Sequence, residues 1–164
     1  MTLKLNLGCG KDARPGYVNV DYVKVQGVDV VADLNERLPW EDSSVDEVIM
    51  YHALEHVNDP LKLMLEIHRI LKPGAVVEVK VPHRRHSDAY SIYHKHYFDE
   101  NSLNDLCTVG QSAELGRRFE LLERRIYWQH AILSPWHMRK YLRLDTSRWP
   151  WGTPKEVAFR LRRL

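Results

Sequence analysis

Alternating apolar and polar residues near the start of the chain predict a β-strand that runs into a glycine turn. Leu3, Leu5 and Leu7 alternate with polar residues, and the alternation stops at Gly8 and Gly10. Because glycines lack side chains, the backbone of such a turn can approach a ligand closely and offer it N–H donors. A hairpin or another structural turn would use the same glycines, so this stretch alone leaves both interpretations open.

Four more strands and one helix are predicted between this turn and residue 82. The strands cover residues 17–21, 28–34, 45–50 and 75–82. Each is an apolar run of strand length. Asp59 and Pro60 are typical of a helix start, since Asp can cap the first turn and Pro suits its first position. The helix is expected over residues 61–72, because Pro73 and Gly74 stop it.

Strands that alternate with connections in this way predict an α/β fold. We expect one domain over residues 1–164, built on a Rossmann-like, mostly parallel sheet flanked by helices. Pro15 and Gly16 indicate a turn at the point where a dinucleotide-binding fold usually begins a long helix. The first helix is therefore expected to be short or absent.

The pattern loosens after residue 82. We expect a loop over residues 83–97, a short helix over 99–107, a sixth strand over 119–128 and a helix over 135–144. Residues 156–164 alternate only in part. They fit either a seventh strand or a basic helix, and the strand is preferred.

Two acids, Asp21 and Asp33, end the second and third predicted strands. The carboxyl ends of parallel strands meet at one edge of a sheet, so both acids should converge with Gly8 and Tyr51. The first could accept hydrogen bonds from ribose hydroxyls and the second from an adenine amine. Either acid alone is more typical of a surface or capping residue, but the two in series favour an adenosine site.

Several short segments between residues 3 and 82 form a recognisable series. They are residues 5–10, 18–21, 32–34, 38–40 with Asp46, 52–57, 69–74 and 79–82, followed by a weaker echo at 94–98. Their order and spacing resemble the class I S-adenosylmethionine-dependent methyltransferases of the small type 11 kind. The resemblance implies methyl transfer from S-adenosylmethionine to a small-molecule or sugar acceptor, most simply at a hydroxyl oxygen. Residues 1–82 would form the cofactor-binding half and residues 83–164 the acceptor side.

The resemblance also implies a role for each residue at the strand ends. The expected cofactor-binding residues are Leu7, Gly8, Cys9, Gly10, Asp21, Asp33, Leu34, Tyr51 and His52. The glycine turn would approach the methionine part and ribose, Asp21 would hold the ribose hydroxyls, and Asp33 would bind the adenine amine beside the Leu34 N–H. Tyr51 and His52 would flank the methyl-transfer site.

Asp12 departs from the family pattern, because it occupies the third glycine position of the longer motif. With the first helix also missing, the carboxylate end of the cofactor would be held differently. Lys11 or Arg14 could supply the positive charge for it.

Histidines supply candidates for a general base if the acceptor is a hydroxyl. They are His52, His56, His83, His86, His94 and His96. His94 is the first candidate for the catalytic base and His52 the second, while the others have plain packing or loop roles as alternatives. The imidazoles of residues 83, 86, 94 and 96 could instead ligate zinc. They lack the usual zinc spacing and any thiolate, so no metal is expected.

Charge is unevenly spread along a chain whose net charge is +2. Residues 117–164 hold 12 Lys and Arg against 4 Asp and Glu. A solvated surface with ion pairs explains this best, but a basic tail could also hold RNA or an acidic partner. A non-catalytic nucleotide-binding module is therefore the main alternative, although no RNA-reading motif supports it. An NAD-linked oxidoreductase suffers from the short first connection and from Asp33, which has no standard role in NAD binding.

Targeting signals and membrane segments are not expected. No apolar run reaches the roughly 18 residues needed to cross a bilayer, and the N-terminus leads directly into a strand. Cys9 and Cys107 make no disulfide framework or metal-ligand spacing. A reduced, cytoplasmic protein fits these features best. The oligomeric state stays open, with a homodimer as one option.

Overall fold

Seven strands form one sheet in the computed structural model, which describes residues 2–108, 118–130 and 152–164. They are β1 (Lys4–Leu7), β2 (Val18–Asp21), β3 (Val30–Val31), β4 (Val45–Tyr51), β5 (Leu71–Pro82), β6 (Phe119–His130) and β7 (Gly152–Arg163). Their order across the sheet is β3-β2-β1-β4-β5-β7-β6. The first five strands run parallel to one another, and β7 runs antiparallel to both β5 and β6. The predicted Rossmann-like, mostly parallel sheet is confirmed.

One helix, α1 (Pro60–Ile70), connects β4 to β5. Asp59 caps it as predicted, because its carboxylate accepts a hydrogen bond of 2.9 Å from the backbone N–H of Lys62. The helix ends two residues before the predicted limit of residue 72. Leu71 is already extended and fully buried, and it pairs with Val45 of β4. Burial of this leucine in the sheet therefore outweighs continuation of the helix as far as Pro73.

Arg69 ties α1 to the loop that precedes β4. Its guanidinium donates to the backbone carbonyls of Leu38 and Trp40, and it pairs at 2.6 Å with both Glu66 and Asp42. The carboxylate of Glu66 holds the pKa of Arg69 above its ordinary value. Because the Arg69 side chain is only 19% exposed, these contacts fix the loop against the helix.

His68 lies on the side of α1 that faces the last two strands. Its ring stands edge-to-face against Phe119, with centroids 5.4 Å apart. Burial lowers the pKa of His68, and the positive charges of Arg163 and Arg118 lower it further, although a hydrogen bond to the Leu164 backbone opposes them. The neutral imidazole is therefore the form that packs here.

The connection from β1 to β2 contains no helix, which confirms the predicted short or absent first helix. Two buried amides hold this loop instead. Asn6 Nδ2 donates to the backbone carbonyl of Asp12 at 2.8 Å and to Asn19 Oδ1 at 2.9 Å. Asn19 Oδ1 also accepts the backbone N–H of Arg14 at 2.8 Å. The side chains thus satisfy backbone groups that a helix would satisfy internally.

Several elements are shorter than the sequence pattern predicts. β3 covers two residues rather than 28–34, because Asp29 and Asp33 turn their carboxylates back onto backbone N–H groups of Asn19 and Asn35. The short helix expected over residues 99–107 is a 3₁₀ turn at Asn104–Leu106. The sheet is also flanked by fewer helices than predicted, since α1 is the one α-helix in the described part.

In the second half, β6 and β7 confirm the predicted sixth strand and the preferred seventh strand. The loop predicted over residues 83–97 contains one 3₁₀ turn, at Ser87–Tyr90. The helix predicted over residues 135–144 lies outside the described residues. Within the described ranges, no helix combines the length and apolar character needed to span a membrane.

Candidate active site

Parallel pairing brings the ends of β1, β2 and β4 together at one edge of the sheet, here called the rim. Leu7 at the end of β1 pairs with Val20 of β2 and with Met50 of β4. The glycine turn, Asp21 and Tyr51 follow directly on these paired residues, although they lie far apart in the sequence. The expected convergence of strand ends is therefore present in the fold.

Gly8 is required by close packing at the rim. Its φ of +66° lies in the left-handed region, and an added Cβ would come 2.4 Å from the Cβ of Ala53. Leu34 approaches the same point, with its Cδ1 at 3.7 Å. Gly10 also has a positive φ, of +50°, but its added Cβ would meet no atom within 4 Å. The turn is therefore packed at Gly8 and open at Gly10.

Asp21 fastens the glycine turn to β2. Its Oδ2 accepts the backbone N–H of Gly10 at 2.8 Å, and its Oδ1 accepts that of Val23 at 3.1 Å. The Cys9 N–H donates to the Val20 carbonyl at 3.0 Å, and burial followed by the Asp21 charge raises the pKa of the Cys9 thiol. The carboxylate keeps further lone pairs at a half-buried position.

Asp33 lies just beyond β3 and is exposed. Its Oδ1 accepts two hydrogen bonds from Asn35, of 2.9 Å from the backbone and 2.8 Å from the side chain, and these lower the pKa of the Asp33 carboxyl. The preceding Ala32 donates its N–H to the Asp21 carbonyl at 3.0 Å. The structure thus anchors this segment beside Asp21 and brings Leu34 to the glycine turn, while Asp33 itself is engaged with Asn35.

Tyr51 directs its hydroxyl toward Glu78, to which it donates a hydrogen bond. Burial and then Glu78 raise the pKa of Tyr51 to about 12. The Arg14 guanidinium lies over the Tyr51 ring, 4.5 Å from its centroid, and pairs with Asp12 at 2.7 Å. Asp12 stands where the longer family motif has its third glycine. It therefore pairs with Arg14, which the sequence suggested as a partner of the cofactor carboxylate. Arg14 would have to exchange this pair to bind a ligand.

His52 follows β4 with a positive φ of +54°, which is uncommon for a residue other than glycine. Its N–H donates to the Lys80 carbonyl at 2.8 Å. The ring lies between two carboxylates, with Nδ1 3.6 Å from Glu55 Oε1 and Nε2 3.4 Å from Glu156 Oε1. Glu55 raises the pKa of His52 against the opposing effect of burial, and Glu156 adds to the increase.

Glu55 and Glu156 were not among the predicted site residues. Glu55 lies in the segment 52–57 that carries the resemblance, and the structure buries its side chain. The local pattern of apolar and polar residues does not predict that burial. Glu156 reaches the rim because β7 runs antiparallel and pairs Glu156 with Pro82, at the end of β5. An antiparallel strand at this position begins at the edge where the parallel strands end. A residue near the start of β7, such as Glu156, could therefore have been predicted to lie at the rim.

His94 and His56 stand together beside Glu55. Their ring centroids are 4.7 Å apart in an edge-to-face arrangement. His94 Nδ1 lies 3.1 Å from the carbonyl oxygen of Ala89, and His56 Nδ1 lies 3.1 Å from that of Tyr93. The structure therefore brings the predicted His94 into a histidine and glutamate cluster.

The other histidines of the loop have separate partners. His83 Nε2 lies 3.1 Å from Glu100 Oε2, and His86 Nδ1 accepts the backbone N–H of Asp88. His96 Nε2 lies 3.1 Å from the Val57 carbonyl oxygen. These contacts point the three imidazoles toward different groups rather than toward a shared centre with His94.

Arginines in the basic second part mostly have local partners within the described residues. Arg125 pairs with Glu123 and Arg162 with Glu120. Arg163 donates to the backbone carbonyl of Leu71. These contacts favour the interpretation of the basic part as a surface with ion pairs.

Comparison with known proteins adds a family match and a fold match. Residues 8–79 match the family model Methyltransf_11, described as a methyltransferase domain. A ubiquinone/menaquinone biosynthesis C-methyltransferase from Pseudoalteromonas translucida is 34% identical over 97 residues, which are 57% of this chain and 32% of that protein. A chloroplastic 2-phytyl-1,4-beta-naphthoquinone methyltransferase from Arabidopsis thaliana is 25% identical over 114 residues, 70% of this chain and 39% of that protein.

A solved structure shows the same fold over nearly the whole chain. It is an S-adenosylmethionine-dependent methyltransferase from Mesorhizobium loti, with a TM-score of 0.63 at 16% identity, covering 98% of this chain and 90% of that one. The chain spans about a third of the length of the two curated relatives. The matched segment is described as a methyltransferase domain, and the fold is shared with a solved S-adenosylmethionine-dependent methyltransferase. The resemblance to the class I, type 11-like group is thereby confirmed.

Proposed function

We propose that this chain is an S-adenosylmethionine-dependent methyltransferase whose acceptor is a small molecule or a sugar, and that the methyl group goes to a hydroxyl oxygen. One observation carries the proposal. The glycine turn after β1 is fastened to Asp21 at the same rim on which β4 presents Tyr51 and His52. The family match over residues 8–79 supports the cofactor and the reaction class, and the quinone-related relatives support a small-molecule acceptor.

The rim residues fit the parts of this cofactor. Gly10 opens onto free space where a side chain would otherwise stand, so a ligand can lie against its backbone. Asp21 has lone pairs left for ribose hydroxyls. Asp33 binds Asn35 through Oδ1 alone, so Oδ2 can accept from the adenine amine, with Leu34 alongside. When bound, the cofactor supplies an activated methyl group on a sulfonium.

The remaining chemical task of the chain is to orient the acceptor, exclude water and take up a proton. We place His52 ahead of His94 as the base, because it follows β4 directly and lies between Glu55 and Glu156. Those carboxylates stabilise the imidazolium that forms when His52 accepts the hydroxyl proton. His52→Ala should lower kcat more than it weakens cofactor binding. Unchanged turnover in steady-state kinetics would remove His52 from this role.

Transfer to carbon is the second candidate, since one relative is named as a C-methyltransferase. A phenol or quinol acceptor would need the same base, because loss of the hydroxyl proton makes the ring carbon nucleophilic. Carbon and oxygen methylation give products with different proton and carbon NMR shifts. Product analysis after reaction with a panel of sugars, phenols and quinols therefore decides between them.

A thermal-shift comparison tests the cofactor assignment. S-adenosylmethionine and S-adenosylhomocysteine should raise the melting temperature, because a ligand that binds only the native state stabilises it, and NAD should not. A shift with NAD alone would favour the oxidoreductase instead. Salt-dependent binding of generic RNA without methyl transfer would favour the non-catalytic module.

Three further expectations stay predictions. They are a single domain over residues 1–164, a cytoplasmic location and a homodimer as one option for assembly. Sedimentation of the purified chain with and without S-adenosylhomocysteine would measure the last of these.

A further inference from the structure

A buried carboxylate and two imidazoles form a cluster beside His52. We propose that Glu55, His56 and His94 bind one divalent transition-metal ion, with Zn²⁺ as the best match. One potential ligand atom from each residue lies within 4.8 Å of those of the other two. The inference goes beyond methyl transfer and does not depend on it.

Glu55 contributes a buried carboxylate to this cluster. Its side chain is completely buried, and neither carboxylate oxygen accepts a hydrogen bond. Its backbone carbonyl accepts the N–H of Lys95 at 2.8 Å, which joins it to the loop that carries His94. An ionised carboxylate that is buried without a hydrogen-bond donor costs several kcal/mol or more, so such a group calls for a cation close to it.

Backbone contacts indicate which ring nitrogen of His56 and of His94 carries the proton. Each Nδ1 faces a backbone carbonyl oxygen, Tyr93 for His56 and Ala89 for His94. Since a carbonyl can only accept, each Nδ1 must carry the proton and donate it. A neutral ring in this tautomer has a lone pair on Nε2. Both imidazoles are thus set to bind through Nε2.

The carboxylate of Glu55 and the Nε2 atoms of His56 and His94 are all hydrogen-bond acceptors, so none of the three can donate to another. Two imidazoles and one carboxylate form a common donor set for catalytic Zn²⁺, which takes three protein ligands and keeps one open position. A metal-binding His commonly donates its other N–H to a backbone carbonyl, as His56 and His94 do here. Mg²⁺ and Ca²⁺ prefer sets made of oxygen, so they fit this cluster poorly.

Binding requires only a small adjustment. Ligand atoms on a tetrahedral Zn²⁺ lie about 3.4 Å apart, so a pair at the 4.8 Å limit of the cluster must close by about 1.4 Å. His56 is exposed, so its ring can shift within its rotamer while Nδ1 keeps its contact with the Tyr93 carbonyl oxygen. Glu55 keeps Oε2 for the ion while Oε1 faces His52.

His52 supplies the competing explanation. A protonated His52, with Nδ1 3.6 Å from Glu55 Oε1, would neutralise the buried carboxylate without a metal. That distance is longer than a hydrogen bond, and Glu156 shares the imidazolium. Direct metal titration separates the two explanations.

The test uses the full chain without an affinity tag, stripped with a chelator. Calorimetric titration with Zn²⁺ should show one equivalent with a dissociation constant at or below the micromolar range. Co²⁺ should give the visible absorption of a four- or five-coordinate site, and excess Mg²⁺ should leave it unchanged. Absence of stoichiometric Zn²⁺ binding would overturn the proposal in favour of the His52 pair.

Variants identify the ligands. Glu55→Gln and His94→Gln should each weaken Zn²⁺ binding by about 100-fold or more, since loss of a ligand costs at least as much as loss of a group that only orients one. Zn²⁺ should therefore raise the melting temperature of the native sequence but not that of these two variants. His83→Gln and His96→Gln are matched controls from the same loop and should bind Zn²⁺ normally. Loss of binding in His83→Gln, or none in Glu55→Gln, would refute this ligand set. A separate thermal shift with S-adenosylhomocysteine reports the cofactor site independently.

Discussion

Replacing Asp21 by alanine tests whether the glycine turn and the end of β2 act as one binding element. The carboxylate accepts the N–H groups of Gly10 and Val23 at 2.8 and 3.1 Å. A hydrogen bond to a charged group contributes about 1.5–3 kcal/mol when buried, and less where water competes. The Val23 bond is exposed and the Gly10 bond partly buried. We expect Asp21→Ala to lower the free energy of unfolding by about 1–2 kcal/mol.

The effect on ligand binding should be larger than this loss of stability. The ribose hydroxyls lose a charged acceptor, which costs a further 1.5–3 kcal/mol or so. That range corresponds to a dissociation constant raised about 10- to 150-fold. Isothermal titration calorimetry with S-adenosylhomocysteine measures it directly. The titration must be run well below the lowered melting temperature of Asp21→Ala, so that unfolding does not imitate weak binding.

Asp29→Ala is the matched control, because Asp29 lies just before β3 and its carboxylate also accepts a backbone N–H of β2. Asp29 Oδ2 accepts the backbone N–H of Asn19 at 2.8 Å, near the start of β2 and away from the rim. This variant should lose comparable stability and keep its affinity for S-adenosylhomocysteine. The reasoning fails if Asp21→Ala binds within about twofold of the native sequence. It fails equally if both variants lose the same affinity.

Three further predictions concern stability, and they use four substitutions. Gly8→Ala should lower the free energy of unfolding by about 3 kcal/mol or more, because of backbone strain and overlap with Ala53. Gly16→Ala is the control and should lose only about 1 kcal/mol, since Gly16 also has a positive φ but faces open space. Equal losses in chemical denaturation would contradict this. Arg69→Met should cost about 2–3 kcal/mol, because it leaves its partners unpaired; an unchanged denaturation midpoint would exclude that role. The pKa of His68 is lower in the folded state than in the unfolded state. As the pH falls below about 6.5, the unfolded chain therefore takes up a proton on His68 while the folded chain does not, and the free energy of unfolding should decrease. His68→Gln should flatten that pH profile, and parallel profiles would argue against it.

Elements that depend on local pattern could be predicted well from the sequence. The alternation from Leu3 to Leu7 is a property of four or five residues, and it predicts β1 without tertiary information. Asp59 defines the start of α1 through its own side chain. Parallel strand ends meet by a rule of topology, so the neighbourhood of Gly8 and Asp21 followed from the strand assignments.

Features that depend on distant partners could not be predicted in the same way. α1 ends at Ile70 because Leu71 pairs with Val45, a contact across the sheet. His52 lies between carboxylates that are three and about a hundred residues away, and only the antiparallel direction of β7 brings Glu156 there. Glu55 is buried beside Lys95 and His94, which lie about forty residues further along the chain. Local periodicity carries no record of such contacts.

The helix-free connection after β1 has an electrostatic consequence. A helix that begins at this point would aim a positive partial charge of about half a unit at an anionic ligand group. Here the peptide dipoles of residues 8–17 are not aligned in that way, and Asp12 adds negative charge. Without an aligned helix dipole, an anion at this end of the sheet depends on side-chain cations such as Arg14 for its balancing charge. Ionic strength should therefore screen its attraction more strongly than it screens a buried backbone dipole.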